Sequence, residues 1–401
     1  MSNRILLLTL CVAEVLGMLG ISTFSALLPE LQAEWGLSNA DAGWVTGIYY
    51  GGYMAAVPVL VSLTDRIDPR RVYLFSVALG GVSLVGFASI AEGFWTAMVF
   101  RALGGVALAG SYMPGLKALT DRIEGPAQPR SVAFYTSSFG IGVSLSFLVS
   151  GEVAAALTWR WAFAIAAAGA PLAMALFAWA MRARPVAPQP APERHLLDFR
   201  PVFRNRAAMG YILAYAAHNW ELFGLRGWLV AFLVFLQTLQ PAYADWNVTM
   251  IATVVVLLAV PSSILGAEFA VRFGRRRVVA TIMTASAVIA AGFGFAGALP
   301  FPFVVALAMF YGLFVTADSA AITTGSLRAA PVGGRGAVMA MHAFIGFIGA
   351  FVGPLAFGVV LDFAGADHVL GWGLAFAAMG VGVVMGPVAL ALLARKPTGA
   401  G

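Results

Sequence analysis

The stretch VSLTDRIDPRR, residues 61–71, is polar and basic, and long apolar runs flank it on both sides. As helices, the runs over residues 42–63 and 72–91 are each long enough to cross the roughly 30 Å hydrocarbon core of a bilayer. The stretch itself carries two acids and three arginines, which a bilayer core excludes. Its charged part, residues 65–71, is therefore a loop between two membrane-spanning helices.

The composition extends this conclusion to the whole chain. Its 401 residues are 61% hydrophobic and 10% charged, with a mean hydropathy of +0.88, whereas soluble domains are about 25% charged. An all-α membrane protein with twelve transmembrane helices is predicted. The predicted spans cover residues 5–28, 42–63, 72–91, 94–116, 131–152, 160–182, 208–237, 247–270, 278–299, 303–325, 337–362 and 370–394.

The positive charge follows the predicted topology. A net charge of +6 and a pI near 9.7 also occur in nucleic-acid binders, but twelve crossings would place every Lys and Arg except Arg101, Arg160 and Arg226 on one side. The positive-inside rule makes that side the cytoplasm and places both termini there. We therefore expect a multi-pass protein of the cell inner membrane, in contact with lipid and without a nucleic-acid partner.

Catalytic and cofactor signatures are weak. The single cysteine, Cys11, excludes an internal disulfide and makes a structural zinc site implausible. The sequence contains no H-E-x-x-H, G-x-S-x-G or P-loop motif. We expect neither an enzyme nor a cofactor.

A proline-rich linker divides the chain. The segment from Arg182 to Arg206 contains four prolines between 185 and 192, and proline resists a helix interior. The predicted organisation is an N-terminal six-helix bundle (1–182), a cytoplasmic linker (183–207) and a C-terminal six-helix bundle (208–401).

The two halves repeat each other. Basic loops follow the second and eighth spans at Arg66 and Arg272, about 206 residues apart. The fifth and eleventh spans open at Arg130 and Arg335 with nearly the same offset. Duplication of a helical unit, with a site between the repeats, is typical of transporters.

These features resemble the major facilitator superfamily over essentially the whole chain. Leu63, Asp65 and Arg66 fit the signature loop of that family, although Val61 and Asp68 replace its glycines. Arg101-Ala-Leu-Gly104-Gly105 in the fourth span is similar to its R-x-x-x-G motif. The resemblance implies pseudo-symmetric bundles, alternating access and a monomer.

One pattern of the family's drug–proton antiporters is missing. Their fifth span usually carries G-x-x-x-G-P-x-x-G-G, and here that span has no proline. Gly349-x-x-x-Gly353-Pro354 occurs in the eleventh span instead. This disfavours drug efflux.

The seventh span carries a polar stripe. With 100° per residue, Tyr211, Tyr215, His218, Asn219 and Arg226 fall within an arc of roughly 100°. His218 lies about 15 Å from the cytoplasmic end, near the midplane where substrates bind. We predict that this stripe contacts substrate. The alternative is that its polar side chains hydrogen-bond only to one another and to neighbouring helices.

Three acids inside the spans are rival proton carriers: Glu14, Glu221 and Asp318. A carboxyl group in an apolar environment holds its proton more tightly than in water, which suits a carrier. Glu14 is favoured, and an ion pair with an internal arginine is the alternative.

Two intramembrane arginines have alternative roles. Arg101 either modulates the proton affinity of a nearby carboxylate, as the R-x-x-x-G resemblance implies, or binds an anion. Arg226 offers a planar fork suited to carboxylate or phosphate, and is predicted to contact an anion unless an acidic neighbour pairs with it.

The remaining predicted residues line the cavity and the cytoplasmic loops. Tyr49 and Tyr53, with Tyr50, either face substrate or pack. The resemblance implies that Asp65, Arg66, Arg272 and Arg275 latch the halves when the outside is open; setting topology is the simpler role.

The predicted function is proton-coupled transport of a small polar or anionic organic solute by alternating access. Proton-driven multidrug efflux is the leading alternative. A non-transporting receptor is a third, and the lack of extramembrane domains argues against it.

Overall fold

The structure is a computed structural model that describes residues 2–183, 199–331 and 334–394. These residues form α-helices and three short 3-10 helices, with no strand among them. The prolines of the predicted linker lie outside the described residues.

The α-helices in the first part of the chain match the first six predicted spans to within a few residues, except at the first. They are α1 (Asn3–Met18), α2 (Thr23–Ala26), α3 (Leu28–Trp35), α4 (Asn39–Leu63), α5 (Pro69–Ile90), α6 (Phe94–Thr120), α7 (Gln128–Ala156) and α8 (Trp159–Ala180).

The second part of the chain follows a short helix, α9 (Arg200–Arg204). Its helices are α10 (Arg206–Leu239), α11 (Val248–Leu257), α12 (Ala259–Phe273), α13 (Arg275–Phe293), α14 (Phe301–Ala317), α15 (Ser319–Ala329), α16 (Arg335–Ala364) and α17 (Val369–Leu393). Short interruptions at Leu258 and Asp318 divide the eighth and tenth predicted spans.

Eleven segments of the described chain are long and apolar enough to cross a membrane. The predicted first span is absent from that set because it is broken. A continuous helix was expected over residues 5–28, but α1 ends at Met18 and residues 19–22 are not helical.

Side chains from two neighbouring helices satisfy the backbone of this break. The Ser146 hydroxyl on α7 donates to the Leu19 carbonyl at 2.6 Å and accepts from the Ser22 amide at 3.0 Å. The Arg101 guanidinium on α6 donates to the Ile21 carbonyl at 3.2 Å. Because unpaired backbone groups are costly in a membrane interior, these contacts permit the break.

Local sequence accounts for several helix starts. The hydroxyl of Ser38 accepts from the Asp41 amide at 3.0 Å, and the Asp41 carboxylate accepts from the Ser38 amide at 3.1 Å, so a capping box begins α4. Asp68, which replaces a glycine of the family loop, caps α5 by accepting from the Arg70 amide at 2.9 Å.

The chain forms two compact units. The first comprises Met1–Leu37, Ile48–Pro190 and Asn247–Leu257, and the second comprises Ser38–Gly47, Ala191–Trp246 and Leu258–Gly401. Both α4 and the α11–α12 pair therefore pass from one unit into the other along their length.

Glycines bring helices close together inside the second unit. A methyl group at Gly349 would overlap the Ala216 carbonyl, and one at Gly353 would overlap that of Trp220. The Pro354 carbonyl accepts from the Trp228 indole at 2.9 Å. The G-x-x-x-G-P motif of α16 thus packs this helix tightly against α10.

Candidate functional site

The first unit contains a buried carboxyl group at Glu14 on α1. Its side chain is 2% exposed, and Ser138 on α7 places its hydroxyl 2.6 Å from Glu14 Oε2. The same hydroxyl lies 2.7 Å from the Tyr135 carbonyl. Glu14 Oε1 has no hydrogen-bond partner among the described residues, and no arginine pairs with Glu14 there.

Arg101 is buried at the break after α1. Its guanidinium lies 4.4 Å from the ring centroid of Tyr49 and 5.7 Å from that of Phe24. Arg101 and Tyr49 line a cavity of about 50 Å³ inside the first unit, together with Ser76. The cavity is large enough for a few water molecules.

The predicted cavity tyrosines are buried in this structure. The Tyr49 ring packs edge-on against Tyr50 with their centroids 5.4 Å apart. Tyr53 is 3% exposed, and its backbone lies against Gly105. The structure therefore gives both Tyr49 and Tyr53 packing contacts inside α4 and α6.

The second unit brings His218 and Asp318 together. His218 lies in the middle of α10, and Asp318 occupies the interruption between α14 and α15. The Nδ1 atom of His218 is 2.8 Å from Asp318 Oδ1, and both residues are at most 3% exposed. An acid and a base are thus in direct contact in the interior of the second unit.

Two rings extend this pair. Tyr215, one turn before His218, stacks on His342 of α16 with centroids 3.9 Å apart and planes 12° apart. The Nδ1 atom of His342 lies 3.0 Å from the Ser326 hydroxyl, and its Nε2 atom lies 3.4 Å from that of Thr323. The polar stripe of α10 therefore continues onto α15 and α16.

Glu221 forms a separate cluster within the second unit. Its Oε1 atom accepts hydrogen bonds from Ser286 at 2.8 Å and from Tyr311 at 2.9 Å. The side chain is 2% exposed. Both partners are neutral hydroxyls, so this carboxyl group is held without a cation among the described residues.

The other residues of the stripe occupy different environments. Asn219 is 1% exposed, whereas Tyr211 packs over Gly325 of α15. Arg226 is half-buried two turns beyond His218, with its guanidinium 5.7 Å from the Phe223 ring centroid.

The predicted gate residues lie at helix ends. Asp65 and Arg66 are exposed in the turn after α4. Arg272 pairs with Glu268 one turn earlier at 3.1 Å. Arg275 is half-buried at the start of α13.

Sequence analysis missed the hydroxyl partners and His342. Ser138, Ser286 and Ser326 are serines within or directly after predicted spans, a common feature of membrane helices, and only the tertiary structure reveals their contacts. His342 was detectable, because the chain has only four histidines and this one lies in an apolar run. No group of three or more potential metal-ligating side chains occurs in the described ranges.

Comparison with known proteins now assigns the family. The model of the Major Facilitator Superfamily matches residues 10–244, which is more than half of the chain. The chain belongs to this superfamily. Its members are membrane transporters, and the multi-pass helical architecture agrees with that assignment.

Curated relatives in the superfamily match only part of the sequence. A probable 4-methylmuconolactone transporter of Cupriavidus pinatubonensis is 29% identical over 33% of the chain and 31% of its own length. Human protein spinster homolog 1 is 22% identical over 38% of the chain and 29% of its own length. The chain thus spans about a third of the length of these relatives.

Solved structures match almost the whole fold. A bacterial homolog of the human lysosomal transporter Spinster, inward-facing and unoccupied, aligns over 98% of the chain and 95% of its own with a TM-score of 0.73 and 16% identity. The nucleoside transporter NupG aligns over 99% and 100% with a TM-score of 0.75 and 16% identity. The fold is that of a superfamily transporter.

Proposed function

We propose that this superfamily member is a proton-coupled transporter of a small polar or anionic organic solute that works by alternating access. The observation that carries the proposal is the contact between His218 and Asp318 in the interior of the second unit. Ionisable groups inside a membrane protein are costly and mark pathways for ions or substrates.

The geometry around Glu14 supports proton coupling. The Ser138 hydroxyl has one proton but lies within 2.7 Å of two acceptors, Glu14 Oε2 and the Tyr135 carbonyl. When Glu14 is protonated at Oε2, it donates to Ser138, and Ser138 donates to the carbonyl, so both short contacts are hydrogen bonds. When Glu14 is ionised, one of these bonds is lost. The contact network therefore differs between the two protonation states.

Glu221 and Asp318 have different hydrogen-bonding partners from Glu14. Two hydroxyl donors satisfy the ionised form of Glu221, which suits a structural acid. A proton on the His218–Asp318 pair changes its charge, so this pair is the second candidate carrier. We assign Arg101 to positioning, because it donates to the Ile21 carbonyl in the break after α1.

The substrate assignment rests on the groups around α10. Tyr215, His342 and Asn219 offer ring faces and hydrogen-bonding groups, and Arg226 supplies a fixed positive charge. Tyr211, Tyr49 and Tyr53 are the remaining candidates. The relatives named for a lactone and for nucleosides favour polar organic solutes, whereas a plant relative named as a probable sphingolipid transporter favours a lipid-like one.

The proposed topology completes the assignment. We infer twelve spans, counting the broken α1–α3 segment as the first, in two pseudo-symmetric six-helix bundles with both termini in the cytoplasm of an inner-membrane monomer. The domain limits remain 1–182 and 208–401, with a cytoplasmic linker between them. Asp65, Arg66, Arg272 and Arg275 are assigned to the cytoplasmic gate.

Reconstituted protein tests the coupling. A thermal-shift panel of organic acids, lactones, nucleosides, hydrophobic drugs and sphingoid amines identifies a ligand, and its uptake into liposomes is then measured with and without a pH gradient. We expect Glu14→Gln to abolish gradient-driven accumulation while retaining exchange at equal pH. Coupling is refuted if Glu14→Gln, Glu221→Gln and Asp318→Asn all accumulate solute normally.

Binding of the identified ligand tests the anion assignment. We expect Arg226→Ala to weaken binding of an anionic ligand at least about tenfold, as loss of a charge-assisted contact does. Arg160→Ala is the matched control, since Arg160 donates to the Ala88 carbonyl at a helix start. Equal affinity in wild type and Arg226→Ala removes the anion role.

A further inference from the structure

Two segments at corresponding positions of the repeat cross between the units. The start of α4, within Ser38–Gly47, belongs to the second unit, although the helix continues into the first. The α11 segment, Asn247–Leu257, belongs to the first unit, although α12 continues into the second. In the predicted topology both crossing ends lie on the outward side.

A carboxylate of α16 holds the start of α4. Asp362 Oδ1 accepts from the Asn39 backbone amide at 3.0 Å and from the Asn39 side-chain amide at 2.9 Å. Asp362 Oδ2 accepts from the Ala40 amide at 2.8 Å. The acid thus occupies the anion-favouring N-terminus of a helix distant in sequence.

A carboxylate of α7 holds the start of α11 through the side chain of its capping asparagine. Glu152 Oε1 accepts from the Asn247 side-chain amide at 2.6 Å. Asn247 Oδ1 in turn accepts from the Met250 amide at 2.8 Å, so Asn247 caps α11. Both contacts join an acid to an asparagine at a helix start.

Internal duplication relates the two contacts. Asn247 follows Asn39 by about 208 residues, and Gly358 follows Gly151 by about 207. A methyl group at Gly358 would overlap the Asn39 carbonyl, and one at Gly151 would overlap Thr249 beside Asn247. Gly358 therefore lets α16, which carries Asp362, lie close to the start of α4. Gly151 likewise lets α7, which carries Glu152, lie close to the start of α11.

We propose that Asp362 and Glu152 are paired outward gating residues: each fastens one crossing helix end, and both contacts release when the transporter opens to the outside. This inference rests on the alternating access of the proposed function. Both acids are exposed, so water replaces the lost contacts on release. The bonds are short and directional, and a displacement of about 1 Å breaks them.

Distances between spin labels test the gate. In a Cys11→Ser background, labels at Ala33→Cys and Ala242→Cys occupy exposed positions of the first and second units on the predicted outward side. Electron–electron resonance in liposomes then gives the ratio of long to short distances. We expect Asp362→Ala and Glu152→Ala each to raise this ratio about two- to fivefold, the usual effect of a carboxylate at an exposed helix N-terminus.

Glu92→Ala is the matched control, because Glu92 is an exposed acid on the same side with no side-chain hydrogen bond in the described chain. Size-exclusion profiles and melting temperatures confirm that each variant is folded. Glu152→Gln combined with Asn247→Asp exchanges donor and acceptor, and is expected to return the ratio towards wild type.

The outcomes separate the gate from the transport proposal. Two distance populations whose ratio is unchanged in both acid variants overturn the gating role alone. A single population in wild type and every variant overturns alternating access with it. Neither result depends on a substrate or a pH gradient, so a failed ligand screen leaves this test intact.

Discussion

At the residue scale, the buried acids differ in their partners rather than in their burial. Glu14, Glu221 and Asp318 are all at most 3% exposed. Glu14 contacts one hydroxyl, which also contacts a backbone carbonyl. Glu221 accepts from two hydroxyls, and Asp318 contacts the imidazole of His218. These partners, which no spacing rule reveals, distinguish a proton carrier from a structural acid.

Ser138 is the first residue to test. We expect Ser138→Ala to slow proton-driven uptake roughly tenfold, because a hydrogen bond to a charged group contributes about 1.5–3 kcal/mol. Ser137→Ala is the neighbouring control, since Ser137 is only half-buried and donates to the Ala133 carbonyl of its own helix. Initial uptake rates at matched protein density provide the measurement, and equal rates in the two variants contradict the role.

The His218–Asp318 pair is testable by a double-mutant cycle. We expect His218→Gln and Asp318→Asn each to destabilise the protein, and the double variant to lose less than the sum by about 0.5–3 kcal/mol. Denaturant unfolding in detergent measures this coupling. The exposed Lys117–Asp121 pair, 3.3 Å apart within one helix, is the control and should show almost none. Additive effects at His218 and Asp318 would show that the contact is energetically irrelevant.

At the scale of elements, interruptions occur where polar groups gather. The break after α1 lies beside Arg101, and the break between α14 and α15 is Asp318 itself. Irregular backbone in a membrane protein requires partners from neighbouring helices. The hydropathy of residues 5–28 is consistent with an unbroken helix, so the sequence prediction failed where tertiary contacts from Ser146 and Arg101 compensate.

The close packing of α16 on α10 leads to a prediction at the scale of elements. We expect Gly349→Ala and Gly353→Ala each to destabilise the protein by about 1–3 kcal/mol, because the added methyl group meets backbone that cannot move aside. Gly292→Ala on α13 is the control: nothing lies within 4 Å of its added methyl group, so it should be neutral or stabilising. The measurement is the melting temperature of each variant in detergent. Equal melting temperatures for all three variants would refute tight packing of α16 against α10.

At the scale of the whole molecule, the charge distribution predicts orientation. Reporter fusions after Arg182 and after Leu393 should be active only in the cytoplasm, and cysteines at Ala33 and Ala242 should react with an impermeant reagent from outside. Each measurement checks the positive-inside argument independently of transport. Labelling of Ala33→Cys or Ala242→Cys from the cytoplasmic side alone would invert the proposed topology and the gate with it.

The sequence by itself determined the membrane class, the approximate spans, the family and the acids worth testing. It could do so because bilayer thickness fixes helix length and the cost of buried charge makes each polar residue conspicuous. The capping box at Ser38 and Asp41 was also predicted correctly, since it depends only on local backbone geometry.

Only the tertiary structure decided which groups meet. Asp362 and Asn39 are more than 300 residues apart, and His218 and Asp318 are 100 apart, yet each pair is in contact. Helical periodicity places a side chain on a face but does not specify the helix that covers that face. Partner identity, helix interruptions and the crossing ends of α4 and α11 therefore depend on three-dimensional packing.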